Sequence, residues 1–171
     1  MDSENEDELF SAGDFKMSEN LIDLENFRRI VSHIQRVHEN GLKLAEELIK
    51  AGRPRFARRT TIEIFKHDLS KLGEFEYTKF FSGDKEELKQ AVSHHRWTNP
   101  HHIDYYEEHK DMPEVQLACM ACDFKARSEE FGDNVKKYLK EFCEAKSISV
   151  NTNFYKKLTG FLNLIIEDKF Q

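Results

Sequence analysis

A chain of 171 residues with 39% apolar content and 14 phenylalanines is long enough for one domain with a substantial core, and too apolar for a disordered chain. Its net charge of −6 gives no support to general nucleic-acid binding driven by phosphate neutralisation, although a local site for a small anion stays open. Three cysteines argue against a disulfide framework. With no leader-like segment and no apolar run of about 18 residues, a soluble cytoplasmic protein without membrane contacts is expected.

Residues 1–20 are polar and acidic (Asp2, Glu4, Glu6, Asp7, Glu8) and read as a flexible tail, leaving residues 21–171 as a single domain. Residues 24–51 predict one long helix, because Phe27, Ile30, Val31, Ile34, Val37, Leu42, Leu44 and Leu48 recur at helical spacing. Gly52-Arg53-Pro54 closes it. A second helix is expected over 58–69 with His67-Asp68 at its end, and Gly73 marks a break. Residues 74–81 form a short aromatic helix, and 85–97 another that carries His94 and His95 in its last turns. Asn99-Pro100 forces a turn directly before His101 and His102. Pro113 opens a helix through Cys119, Cys122 and Asp123 to about residue 131, and helices over 133–145 and 153–169 finish the chain. No segment alternates with period two, so the fold class is all-α, a helical bundle.

Seven of the eight histidines fall between His33 and His102. Taken singly each has an ordinary explanation. His33 suits a hydrogen-bonded core histidine, His67-Asp68 a capping arrangement, His101/His102 an exposed loop, and Asp123 an ion pair with Lys125 or Arg127. Together they form a set of imidazole and carboxylate ligands without thiolate, carried on helices that a bundle can bring face to face. That donor set suits manganese, iron or magnesium better than structural zinc. His38 and His109 read as surface residues. Cys119-x-x-Cys122 lacks a second cysteine pair and reads as small core packing. Trp97 and Tyr105/Tyr106 flank the histidine loop, where they would stack a nucleobase or, for Trp97, pack in the core. Arg53, Arg55, Arg58 and Arg59 form a basic cluster, by default a solvated connection.

The His33, His67-Asp68 and Asp123 pattern resembles the HD superfamily of metal-dependent phosphohydrolases. That resemblance implies an HD-like helical bundle with a first metal on His33, His67, Asp68 and Asp123. Two-metal members add intervening histidines, here His95 and His101 or His102. His67-Asp68-Leu69-Ser70-Lys71 is similar to the His-Asp-x-x-Lys segment of HD-GYP phosphodiesterases, where the lysine approaches substrate phosphate, and Lys71 matches it. The segments around His33, His67, Asn99-Pro100-His101-His102 and Met120–Ala126, with Glu76 and Tyr77, resemble an uncharacterised HD-like family of bacteria and their viruses. Two departures matter. The Gly-Tyr-Pro segment is missing and the HD-GYP third-metal glutamate falls on Arg29, so a third metal and cyclic-di-GMP hydrolysis are not expected. The small HD 5′-nucleotidases carry a glutamate where this chain has Lys71.

The implied chemistry is hydrolysis of a small phosphate-bearing substrate, a nucleotide or related phosphoester, at one or two divalent metals. Asp68 would bridge, and Lys71 would offset phosphoryl charge. Glu76 would act as acid/base or orient a ligand histidine. Asn99 would fix its loop or meet substrate, with Arg96, Lys125 and Arg127 as further substrate contacts. The alternatives are a diiron oxygenase built on the same ligands and a non-catalytic nucleotide-binding module.

Overall fold

The computed structural model describes residues 17–170, with side chains from residue 24 onward. Among them are seven α-helices and no strand, as the periodicity predicts. The helices are α1 (Met17–Lys50), α2 (Pro54–Ile64), α3 (Glu74–Phe80), α4 (Lys85–Thr98), α5 (Glu114–Phe131), α6 (Val135–Ala145) and α7 (Asn153–Ile165). Of the tail expected over 1–20, residues 1–16 lie outside the described residues, and 17–20 are the first turn of α1. No helix among the described residues is long and apolar enough to cross a membrane.

The α1–α2 junction departs from the expected boundary. Gly52, at φ +75°, ends α1, and Arg53 N–H donates back to the Leu48 carbonyl at 2.8 Å. Pro54 does not belong to that closure. It occupies the first turn of α2, where its fixed φ suits a helix and its missing N–H costs nothing. So α2 begins earlier than residue 58, and it ends at Ile64, before His67-Asp68. The two helices touch closely at Gly41, where a Cβ would lie 2.6 Å from Ile64 Cγ2. Other boundaries follow side-chain caps. Asp84 accepts from Glu86 and Glu87 N–H to start α4, Asn134 accepts from Lys136 N–H to start α6, and Thr152 from Tyr155 N–H to start α7. The last helix stops at Ile165, short of residue 169.

α5 is the centre of the bundle and packs on α1, α2, α6 and α7. Gln116 to Phe124 are buried without interruption, so α5 has no solvent face over its middle turns. Around it lie Val37, Leu44 and Leu48 of α1, Ile64 of α2, Leu139 of α6, and Phe154, Leu158 and Leu162 of α7. Cys119 and Cys122 are part of this packing, and burial pushes both thiols up. Phe27, Val31 and Leu42 are exposed, so the apolar face of α1 is narrower than its sequence implies. Trp97 is 65% exposed and contributes nothing to the core. His38 and His109 are half-buried, unlike their surface reading. His38 packs on Phe65 at 4.8 Å and His109 on Phe154 at 5.4 Å.

Candidate metal centre

Five parts of the chain converge on one buried point. α1 presents His33 from the same face as Ile30, Ile34 and Val37. α5 presents Asp123 from its buried middle, beside Met120 and Phe124. α4 buries Ala91 and His95, one turn apart. The Asn99-Pro100 turn brings in His101 and His102, tied down by His102 N–H donating to Asn99 O and by Tyr106 Oη donating to Pro100 O at 2.8 Å.

His67 and Asp68 come from the turn after α2. Asp68 has φ +57° and ψ 9°, a left-handed conformation that aspartate tolerates better than most residues. The reversal buries Asp68 while its neighbour Leu69 stays 49% exposed. Lys71 then lies in a 3-10 turn, where its Nζ donates to Asp68 Oδ2.

The two Asp68 oxygens face different histidines. Oδ2 is 3.2 Å from His33 Nε2 and 3.5 Å from His67 Nε2, and both rings also approach Asp123 Oδ1, at 3.1 and 3.7 Å. Oδ1 is 3.0 Å from His95 Nε2 and 3.3 Å from His101 Nε2. The donors therefore divide into His33, His67 and Asp123 on one side, and Asp68, His95, His101 and His102 on the other. Within each group the ligand atoms lie inside 4.8 Å of one another. His67 and His101 connect the halves, with ring centroids 4.0 Å apart.

This cluster does not satisfy itself. Nε2 of His33, His67, His95, His101 and His102, with Oδ1 of Asp68 and of Asp123, are buried and meet no partner in hydrogen-bond geometry. An unsatisfied buried group costs about 1–3 kcal/mol, and the His–Asp approaches of 3.0, 3.1, 3.2 and 3.3 Å offset only part of that cost, since the lone pairs outnumber the protons between them. A cation held by these lone pairs would remove that cost, and the donor types fit one.

Electrostatics keep Asp68, Asp123, His101 and His102 in the forms that can ligate. Burial alone would raise the Asp68 carboxyl, but His67, Lys71, His101 and His33 around it hold it well below the usual carboxylate range. Asp123 is held down in the same way against its own burial, by His33 and His67. Burial pushes His101 below its ordinary value and His102 down to about 2, which leaves their rings neutral with a free lone pair. His33 moves the other way, because Asp123 and Asp68 outweigh its burial.

A second ring of residues fixes ring orientation. Glu76, 1% exposed, receives His95 Nδ1 at 2.9 Å on one oxygen and the exposed His94 Nδ1 at 2.8 Å on the other. That turns His95 Nε2 towards Asp68, the carboxylate–histidine arrangement common behind metal ligands. Ser70 Oγ also donates to Glu76, and Asn99 Nδ2 donates to Ser70 Oγ and to the His95 carbonyl. Asn99 is thus committed to the loop. On the other side, Glu130 Oε2 lies 3.4 Å from His33 Nδ1.

A pocket of about 700 Å³ opens beside His33 and Lys71. Arg28, Arg29, Lys71 and Arg127 supply its cations, and Phe80, Phe81 and Phe131 give it an aromatic wall. Of the expected substrate contacts, Lys71 and Arg127 line this pocket. Arg127 also pairs with Glu130 at 3.2 Å and approaches Asp123 at 3.8 Å. Lys125 is not brought to the site. One residue pair away on α5, it points elsewhere and binds Glu129 at 2.9 Å. Arg96 is exposed and is not part of the pocket lining. In the basic cluster, Arg53 is taken up by Glu114 at 2.8 Å and by the Phe56 ring at 4.1 Å.

Sequence reasoning missed Ser70, His94 and Glu130 as supporting residues, and Arg28, Arg29, Phe80, Phe81 and Phe131 as pocket residues. Helical spacing carried a signal for two of them. Arg29 is one turn before His33, and Glu130 is two turns after Asp123. Residues 23–167 match the model of a family described as a family of unknown function (DUF5662), and the chain belongs to it. No curated protein and no solved structure matches the chain significantly.

Proposed function

We propose that the protein is a metal-dependent hydrolase of small phosphoesters, foremost nucleotides, acting through a dinuclear site in which Asp68 is shared. The observation that carries this reading is the division of labour within Asp68, whose two oxygens each face a different cluster of orphaned histidine nitrogens. His33, His67, Asp123 and Asp68 Oδ2 would hold one metal, and His95, His101, His102 and Asp68 Oδ1 the other. With five imidazoles among seven ligands, iron or manganese fits better than magnesium, which prefers oxygen. Bound divalent cations would supply Lewis acidity to the phosphoryl oxygens and acidify a water. The resemblance to HD phosphohydrolases supports the same reading.

The chain's own residues then have distinct tasks. Lys71 stands between the centre and the pocket and offers its ammonium to the charge that gathers on the phosphoryl oxygens. Arg127, held by Glu130, adds a second cation on the same wall. Glu76 does not line the pocket and acts by orienting His95 and His94. The phenylalanines offer an apolar face to the organic part of the ester, which favours a nucleoside over a small sugar. Overall, water adds across the P–O ester bond. Its oxygen goes to phosphorus and its proton to the departing alcohol.

The test is elemental analysis of purified protein, followed by phosphate release from a panel of nucleotides and p-nitrophenyl phosphate with manganese. Two equivalents of metal with turnover of a phosphoester is the expected result. Two metals with no phosphate released, and oxygen consumed by the reduced iron form, would replace the hydrolase with an oxygenase. Specific nucleotide binding with neither metal nor turnover would leave a binding module.

A further inference from the structure

We infer that Arg28 and Arg29 form a second anion subsite, so that the preferred substrate carries another negative group remote from the phosphoryl group at the metals. The inference rests on the proposed hydrolase only for which end of the ligand reacts. The pocket that opens on His33 and Lys71 continues along α1 towards its N-terminal end, where Arg28 and Arg29 line it. Arg29 precedes His33 by one helical turn, on the same face, so its guanidinium extends the wall that begins at the metal centre.

The charges in this pocket are not equivalent. Lys71 is already bound to Asp68, and Arg127 to Glu130. Arg28 and Arg29 line the pocket from the exposed side of α1 and pair with no carboxylate among the described residues. Two guanidiniums lining one concave, aromatic-walled site can hold a phosphate or carboxylate, which the planar fork of arginine matches in bidentate fashion and lysine does not. Glu25, one turn earlier, is an anion on this rim, and it would weaken the subsite rather than complete it. A ligand with one phosphate could use Lys71 and Arg127 but would leave Arg28 and Arg29 in water. A ligand with two separated anions uses both ends.

The experiment compares matched pairs on the metal-loaded protein. Adenosine 3′,5′-bisphosphate against adenosine 5′-monophosphate tests a second phosphate. 3-Phosphoglycerate against glycerol 3-phosphate tests a carboxylate. Each pair is followed both by phosphate release and by titration calorimetry. The native protein should favour the doubly anionic member of at least one pair by about tenfold or more, the scale of one charge-assisted contact. The double variant Arg28→Gln/Arg29→Gln should collapse that ratio through KM and Kd, with metal content unchanged. Glu25→Gln should raise it. A ratio near one in the native protein, or a ratio that the double variant leaves intact, overturns the subsite. Turnover without any preference would leave the hydrolase standing and remove this subsite. Binding preference without turnover would do the reverse.

Discussion

Truncating Asp68 to alanine should abolish binding at both proposed metal positions at once, because each oxygen faces a different group. Asp68→Ala deletes the oxygen beside His33 and His67 and the one beside His95 and His101. Asp68→Asn keeps one oxygen and converts the other to an NH₂ that cannot ligate. Asparagine also tolerates the left-handed backbone at φ +57°, where alanine adds about 1 kcal/mol of strain. At metal concentrations a hundredfold above Kd, each independent site stabilises the fold by about 2.7 kcal/mol. Two sites give about 5 kcal/mol, a rise of about 10–20 °C in Tm for a domain of this size. Without metal, Asp68→Ala leaves Lys71 facing no anion, which costs about 3 kcal/mol or less because Lys71 can swing into the pocket. The assay is elemental analysis with thermal melting, with and without manganese. The native protein should bind two equivalents, Asp68→Asn at most one, and Asp68→Ala none, with the metal-dependent Tm rise falling in step. Helical circular dichroism should be retained in both variants. Two equivalents in Asp68→Asn would refute a shared carboxylate.

Lys71→Ala should lower phosphoester turnover by about 10²-fold with metal content unchanged, the scale of losing one charge-stabilising group; native turnover in this variant would reduce Lys71 to a structural partner of Asp68. Glu76→Ala should weaken metal binding on the His95 side by about 10–100-fold while the His33 side keeps its affinity, so a titration should separate into one tight and one loose equivalent. If both equivalents weaken together, Glu76 supports the fold rather than one ligand. Gly41→Ala forces a methyl to within 2.6 Å of Ile64 Cγ2 and 2.7 Å of its Cδ1, both on a buried side chain. A loss of about 1–3 kcal/mol in urea unfolding is expected, and no loss would mean that α2 moves aside freely.

Helical periodicity and turn chemistry were enough to identify an all-α chain, because amphipathic spacing and Gly, Pro and Asn-Pro punctuation are local properties. The same local reading set the order of elements and the rough place of every helix. It failed at Gly52-Arg53-Pro54, where one tripeptide both stops α1 and starts α2. The candidate ligands could be singled out because His33, His67-Asp68, His95, His101/His102 and Asp123 form a joint pattern of imidazoles and carboxylates on helices, a pattern that resembles the HD set. What they do to one another was not legible. The separation of Asp68 Oδ1 from Oδ2, and hence the division into two groups, depends on a left-handed residue in a turn that periodicity reads as helix.

The sequence by itself determined the order of the helices and the identity of the candidate ligands, since these follow from side-chain chemistry and spacing along one chain. Only the tertiary structure decided which charges share a cavity. Lys125 and Arg127 are two residues apart on one helix, yet one binds Glu129 away from the site and the other lines the pocket. At 100° per residue they project in different directions, and only the packing of α5 against α1 determines which direction is the pocket. Arg28, Arg29, Phe80, Phe81 and Phe131 come together for the same reason, from α1, α5 and the C-terminal end of α3, whose approach no local pattern encodes.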